Sequence, residues 1–204
     1  FTIITASIYA LTRDDLKARL AYSTVSQLSY IILGAALLSS SAMVGGIVHI
    51  AGHAMSKITL FFCAGSIYCA SRRKKISQLA GIGRKLPWTM AAFFIASLGM
   101  IGIPPSGGFI SKWYLVLGAV EAHELVFLVV LLVSTVLNAA YFLPVTYTAF
   151  FEKENAGQDR DAGEPKEIRE IPLVAAPLVA TALLSLLMGL YPGYFLTLAR
   201  GVVG

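Results

Sequence analysis

Charge is what this sequence lacks. Asp, Glu, Lys and Arg make up 13% of its 204 residues, about half the share usual in a soluble domain. Lys57 is the only charged residue between Leu20 and Ser71. Charge-free runs recur at 20–56, 86–111, 125–151 and 171–199, each longer than the ~20 apolar residues that cross a bilayer. A soluble core protein would alternate charged and apolar faces, and these runs do not. With 57% hydrophobic residues and a mean hydropathy of +0.75, the chain reads as an all-α polytopic membrane protein.

Cysteine and histidine are scarce too. Cys63 and Cys69 share one apolar run without CxxC spacing, so they read as buried small residues rather than a metal or redox pair. His49 and His53 are spaced i, i+4, yet the glutamate of a zinc hydrolase motif is missing. The third histidine, His123, falls in a turn, and one such pair cannot sandwich a haem. No metal site is expected. With no cysteine cluster and no nucleotide loop, no cofactor is expected either, and the chain cannot perform redox chemistry alone. The net charge of +5 does not signal nucleic acid, because the basic residues fall in short loops between the apolar runs.

Those loops predict a topology. Arg13, Lys17 and Arg19 form one loop. Arg72, Arg73, Lys74, Lys75, Arg84 and Lys85 form a second, and Lys153, Arg160, Lys166 and Arg169 a third. The Ser39–Ser41 turn and the Glu121–Glu124 turn carry no Lys or Arg. The positive-inside rule places all three basic loops in the cytoplasm. Spans 21–38 and 42–70 then make a hairpin. Segment 87–120 must cross once, as one broken helix, to keep the third loop inside. Two full helices would put that loop outside. The break is expected at 99–108, where Pro104, Pro105 and four glycines interrupt the helix. The alternative is a tight turn outside the membrane.

The remaining boundaries follow. Residues 1–151 form the transmembrane domain, 152–170 a polar cytoplasmic loop, and 171–204 a C-terminal transmembrane helix ending near Tyr191-Pro192-Gly193. The opening 1–11 is apolar but too short to span, and reads as the tail of a helix that begins earlier.

Lys57 stands on a ladder with the two histidines, His49-x-x-x-His53-x-x-x-Lys57. On one helix these groups recur every ~6 Å, and His49 and Lys57 lie ~80° apart. A charge at membrane depth needs a partner or a wet cavity, so such a residue is functional by default. Burial disfavours the charged form of an amine in general, and histidine titrates near neutral pH. The three together could accept, hold and release a proton. The competing reading is a pair of packed histidines with Lys57 snorkelling to the surface. Yet Lys57 is about thirteen residues, or ~20 Å, from the end of its helix, which is too far. Lys112 is the second charge at depth, four residues beyond Gly108. Irregular backbone there would offer it carbonyl dipoles and water. Its plain alternative is an interfacial lysine at a helix end. Thr24, Gln27 and Ser29 either join helices or line a wet path.

Three blocks carry a resemblance. They are Asp15–Tyr30, His49-x-x-x-His53-Ala-x-x-Lys57 and Ile103-Pro-Pro-x-x-Gly-Phe-x-x-Lys112. In this order and spacing they resemble the antiporter-like subunits of respiratory complex I and of Mrp-type cation/proton antiporters. The block His53–Ser66 looks most like the D-type component of the Mrp antiporters. The resemblance implies the second half of an inverted-repeat antiporter-like fold. It also implies that Lys57 matches the central-axis lysine, Lys112 the charged residue by the broken helix, and His49 and His53 the polar links between them. The family's glutamate–lysine pair belongs to the first repeat, outside this chain. Ser29 departs from the glycine often found there.

The implied function is proton translocation by one subunit of a multisubunit monovalent cation/proton antiporter. The alternative is an antiporter-like subunit of NADH:quinone oxidoreductase or a related membrane hydrogenase. Implied partners are other membrane subunits, the bilayer, protons and sodium, in a bacterial or archaeal cell membrane. Two rival classes remain. A solute transporter should show more convergent polar groups than the ladder supplies. An inert scaffold would have no reason to hold Lys57 at depth.

Overall fold

The computed structural model describes residues 1–153 and 168–203. Among them there are helices and turns and no strand. In chain order they are α1 (Thr2–Thr12), α2 (Leu16–Ala36), α3 (Ser40–Ser71), α4 (Ile82–Lys85), α5 (Pro87–Ile101), α6 (Gly107–Glu121), α7 (Leu125–Phe151), α8 (Pro172–Leu190) and α9 (Gly193–Val203). Three of these, α3, α7 and α8, are long and apolar enough to cross a membrane unaided. In α2, serines, a threonine and a glutamine dilute the hydropathy, although its 21 residues reach ~31 Å.

Local chemistry sets the boundaries. Asp15 accepts a hydrogen bond from Ala18 N at 2.8 Å and caps α2. Helix α2 therefore starts five residues before the expected span, and Lys17 and Arg19 belong to its first turn rather than to a loop. Ser39 caps α3 through Ala42 N at 3.1 Å. Proline opens α5 and α8 at their first turns. Gly102 closes α5 at φ +86°, where a side chain would be strained. Segment 171–204 holds two helices rather than one, because Tyr191-Pro192 ends α8 and the chain turns into α9. At 11 residues, α9 covers ~16 Å, too little to span.

The register along α3 decides how 87–120 crosses. The Cys63 thiol donates to Thr89 O at 3.3 Å. Ser56 packs on Gly99, Gly52 on Gly107 and Gly108, Gly45 on Ser111 and Leu115, and Ala42 on Gly118. Helices α5 and α6 thus run end to end, antiparallel to α3, as one broken span. Small residues at these crossings let the backbones approach closely, as membrane packing requires. A Cβ on Gly118 would stand 2.4 Å from Ala42 N.

This single crossing sorts the charges. Leu16 N donates to Lys74 O at 3.0 Å and Ile76 N to Asp14 O at 2.8 Å, joining the first two basic loops. Arg19 reaches Tyr141 O at 3.0 Å, which brings in the C-terminal half of α7. Glu170 accepts from Trp88 N at 3.0 Å and Thr89 N at 2.6 Å, tying the start of α8 to the start of α5. Lys17, Arg72 and Lys74 gather at 5.2, 5.5 and 5.2 Å from the Tyr68 ring centroid. The described members of all three basic loops therefore share one end of the bundle. Arg160, Lys166 and most of 152–170 lie outside the described residues. At the other end Ser41 donates to Glu121 at 2.5 Å and Ser39 to Gly118 O at 3.1 Å. Cys63 is buried as expected, whereas Cys69 is exposed. Six residues further along α3 turn it to the outer face.

Candidate functional site

Lys57 and Lys112 are 6% and 7% exposed, so neither snorkels. The Lys57 amine donates to Leu20 O at 2.9 Å and to the Ser23 hydroxyl. The Ser23 hydroxyl itself donates to Leu20 O at 2.9 Å. The ammonium also stands 5.7 Å from the Phe142 ring and 6.0 Å from Phe61, within cation–π range. Lys57 thus turns away from its own helix, toward α2 and α7.

Lys112 leaves the second turn of α6 and reaches back across the break. Its amine donates to Met100 O and Ile101 O, each at 2.9 Å. These are carbonyls of the last turn of α5, which have no intrahelical donors. They carry the negative end of the helix dipole. The Tyr30 ring lies 5.2 Å from the same ammonium. Neither lysine has a carboxylate partner among the described residues. Dipoles and hydroxyls solvate both.

Between them stands an aromatic stack. The Tyr30 and His49 rings are 5.4 Å apart at 18°, and His49 and His53 are 5.8 Å apart at 24°. Ser111 spends its one hydroxyl proton on Gly108 O at 3.0 Å. His49 Nδ1 lies 2.9 Å from Ser111 Oγ; when the Ser111 proton points at Gly108 O, Nδ1 donates to Oγ and His49 Nε2 is the acceptor. His49 Nε2 and His53 Nδ1 are buried with no hydrogen-bond partner among the described residues.

The ladder read from the sequence is real as spacing but divides in space. The histidines join Tyr30, Ser111 and the Lys112 side, while the Lys57 amine joins Ser23. Of the three polar residues noted on α2, Thr24 and Ser29 bond back to their own helix at 2.9 and 3.0 Å, and Gln27 alone is fully buried. Sequence reasoning missed Ser23, Tyr30 and Ser111, and two groups on α7, Asn138 and Tyr141. Asn138 was visible in principle, as one of few polar residues in the apolar run 125–151. Among the described residues no cluster of His, Cys, Asp or Glu could hold a metal.

Fold and site together define an integral membrane subunit with a broken helix and unpaired lysines at its core. The family model described as "NADH:quinone oxidoreductase/Mrp antiporter, TM" matches residues 1–138, and the chain belongs to that family. It is 45% identical over 150 residues to an NADH-quinone oxidoreductase subunit N of Desulforudis audaxviator, covering 74% of this chain and 30% of that one. Its fold superposes on a chain of the Mrp complex of a Dietzia species with TM-score 0.88 and 25% identity, covering 99% of this chain and 45% of that one. A chain of respiratory complex I from Thermus thermophilus gives TM-score 0.82 at 24% identity, covering 99% of this chain and 43% of that one, which is a likeness of fold. The chain therefore spans less than half the length of these proteins. As an antiporter-like subunit it has the all-α broken-helix fold read from the sequence.

Proposed function

We propose that the chain is the proton-moving half of an antiporter-like subunit, with Lys57, His53, His49 and Lys112 as the groups that carry the proton. The observation that carries this reading is the pair of buried lysines without carboxylates, flanking a histidine–tyrosine stack. A permanently paired lysine would be trapped in its charged form. One solvated by carbonyls and hydroxyls can lose its proton and regain it. The end of a half-helix is also a recurrent cation or proton site in transporters. The basic end faces the cytoplasm by the positive-inside rule.

Two couplings fit. The His53–Ser66 block and the likeness to the Dietzia Mrp chain favour exchange against a monovalent cation such as sodium. The 45% identity to a subunit N favours coupling to quinone reduction elsewhere in a complex I-type assembly. Vesicles carrying the native complex separate them. Proton uptake driven by a sodium gradient supports the first, and uptake requiring NADH and quinone supports the second. No Lys57-dependent proton movement under either drive would refute the proposal.

A further inference from the structure

Not every buried polar group at the middle of the bundle belongs to the histidine stack. Gln27 is fully buried, and neither its Oε1 nor its Nε2 has a hydrogen-bond partner among the described residues. The same holds for Tyr30 Oη and Ser134 Oγ. Buried polar atoms are almost always paired, with protein or with ordered water. A polar site with several such atoms in one place is where buried water belongs.

These atoms share one region. The Tyr141 hydroxyl lies near the side chains of Gln27, Ser23 and Ser7, with no direct hydrogen bond to any of them. It donates to Asn138 Oδ1. Asn138 Nδ2 lies 3.5 Å from Met100 O, the carbonyl that also holds Lys112. The Tyr30 hydroxyl lies near Ser134 and Asn138, with no direct hydrogen bond to either. Ser23 holds Lys57. A line of polar groups therefore leads from Lys57 through Ser23, Tyr141 and Asn138 to the carbonyl cradle of Lys112. It runs between α2 and α7 and uses neither histidine.

We infer that this line is a second, hydrated proton conduit between the two lysines, parallel to the histidine stack. The inference rests on the proton-moving role proposed above. Water held by Gln27, Tyr30 and Ser134 bridges the gaps between Ser23, Tyr141 and Asn138. Each hop breaks one N–H or O–H bond and forms another. The net result is one proton lost by Lys57 and one gained by Lys112. The Tyr141 hydroxyl relays by giving one proton and taking another. The amides of Gln27 and Asn138 position water and do not titrate.

Parallel and serial paths behave differently when cut. The test is proton uptake by the intact complex in vesicles, with assembly checked on each sample. The variants are His49→Ala, Tyr141→Phe and the two combined, with Lys57→Met as the zero. With two conduits of equal conductance, each single variant keeps about half the rate and the combination falls to the Lys57→Met level. Gln27→Leu, which removes both amide atoms at similar volume, replaces Tyr141→Phe in the same cycle if the latter fails to assemble. A combined variant no slower than His49→Ala overturns the conduit, as does full uptake by Tyr141→Phe. A residue with only a packing role would lower the rate by the same factor with or without His49, which also overturns it. Full uptake by Lys57→Met would instead overturn the underlying proton-moving role.

Discussion

Lys112 and Met100 belong to different helices of one broken span, and the 2.9 Å hydrogen bond between the lysine amine and the Met100 carbonyl closes the break. A lysine side chain thus does what the missing turn of helix cannot. Lys112→Met should leave Met100 O and Ile101 O without donors and lower both assembly and proton uptake. Lys112→Arg should keep much of the assembly, since a guanidinium also donates to two carbonyls, and lose the uptake, because arginine does not release its proton at accessible pH. Blue native gels and vesicle uptake on the same preparations check this. Native uptake by Lys112→Arg would show that the site supplies positive charge rather than a proton.

Lys57 takes the same substitutions. Methionine matches its length but carries no proton. Lys57→Met should assemble with at least native stability, because it removes a buried charge, and should reduce uptake to background. Lys57→Arg should fail nearly as badly, because arginine does not release its proton at accessible pH. Wild-type uptake by an assembled Lys57→Met complex would exclude this lysine as a carrier.

Replacing His49 or His53 by Ala should slow uptake and shift its pH profile. Replacing both should cost little more than the worse single change, because the stacked rings act in series. A double variant with full activity and normal assembly would leave them as packing residues.

The single crossing of α5 and α6 places Lys153, at the end of α7, and Glu170, at the start of α8, on the same side as Lys17 and Lys74. A single cysteine introduced there should react only with reagents that enter the cytoplasm. Labelling from outside the cell would mean that the assembled protein has the opposite sidedness.

Glu170→Ala should destabilise the subunit by roughly 1.5–3 kcal/mol, the usual worth of a charge-assisted hydrogen bond. It removes the acceptor for Trp88 N, Thr89 N and the Thr89 hydroxyl. Thermal unfolding of the purified complex would report it. An unchanged midpoint would show that water replaces the carboxylate freely.

Much of this was legible in the residues, for reasons of cost. A charge at membrane depth is expensive enough that Lys57 and Lys112 stand out without a structure. The asymmetry of Lys and Arg among loops likewise favoured a single crossing of 87–120 over two full helices. The direction of a side chain was not legible. Helical spacing put Lys57 in line with His53, but the amine has several rotatable bonds and turned to Ser23. The α7 groups were hidden differently. Asn138 and Tyr141 come from far along the chain, and only packing brings them beside α2. Nor could composition show that Asp15 would extend α2 backward over Lys17 and Arg19, since a cap is a matter of geometry.

The carbonyl cradle of Lys112 has one more consequence. Mobile ions screen exposed charges within about 10 Å at 0.1 M salt, and buried interactions far less. The cluster of Lys17, Arg72 and Lys74 around Tyr68 should therefore respond to ionic strength. The grip of α5 on Lys112 should not, because backbone dipoles are neither diluted nor displaced by electrolyte. A salt titration accordingly distinguishes the two regions: the mutual repulsion within the basic rim is screened as salt rises, and the break in the membrane keeps its hold.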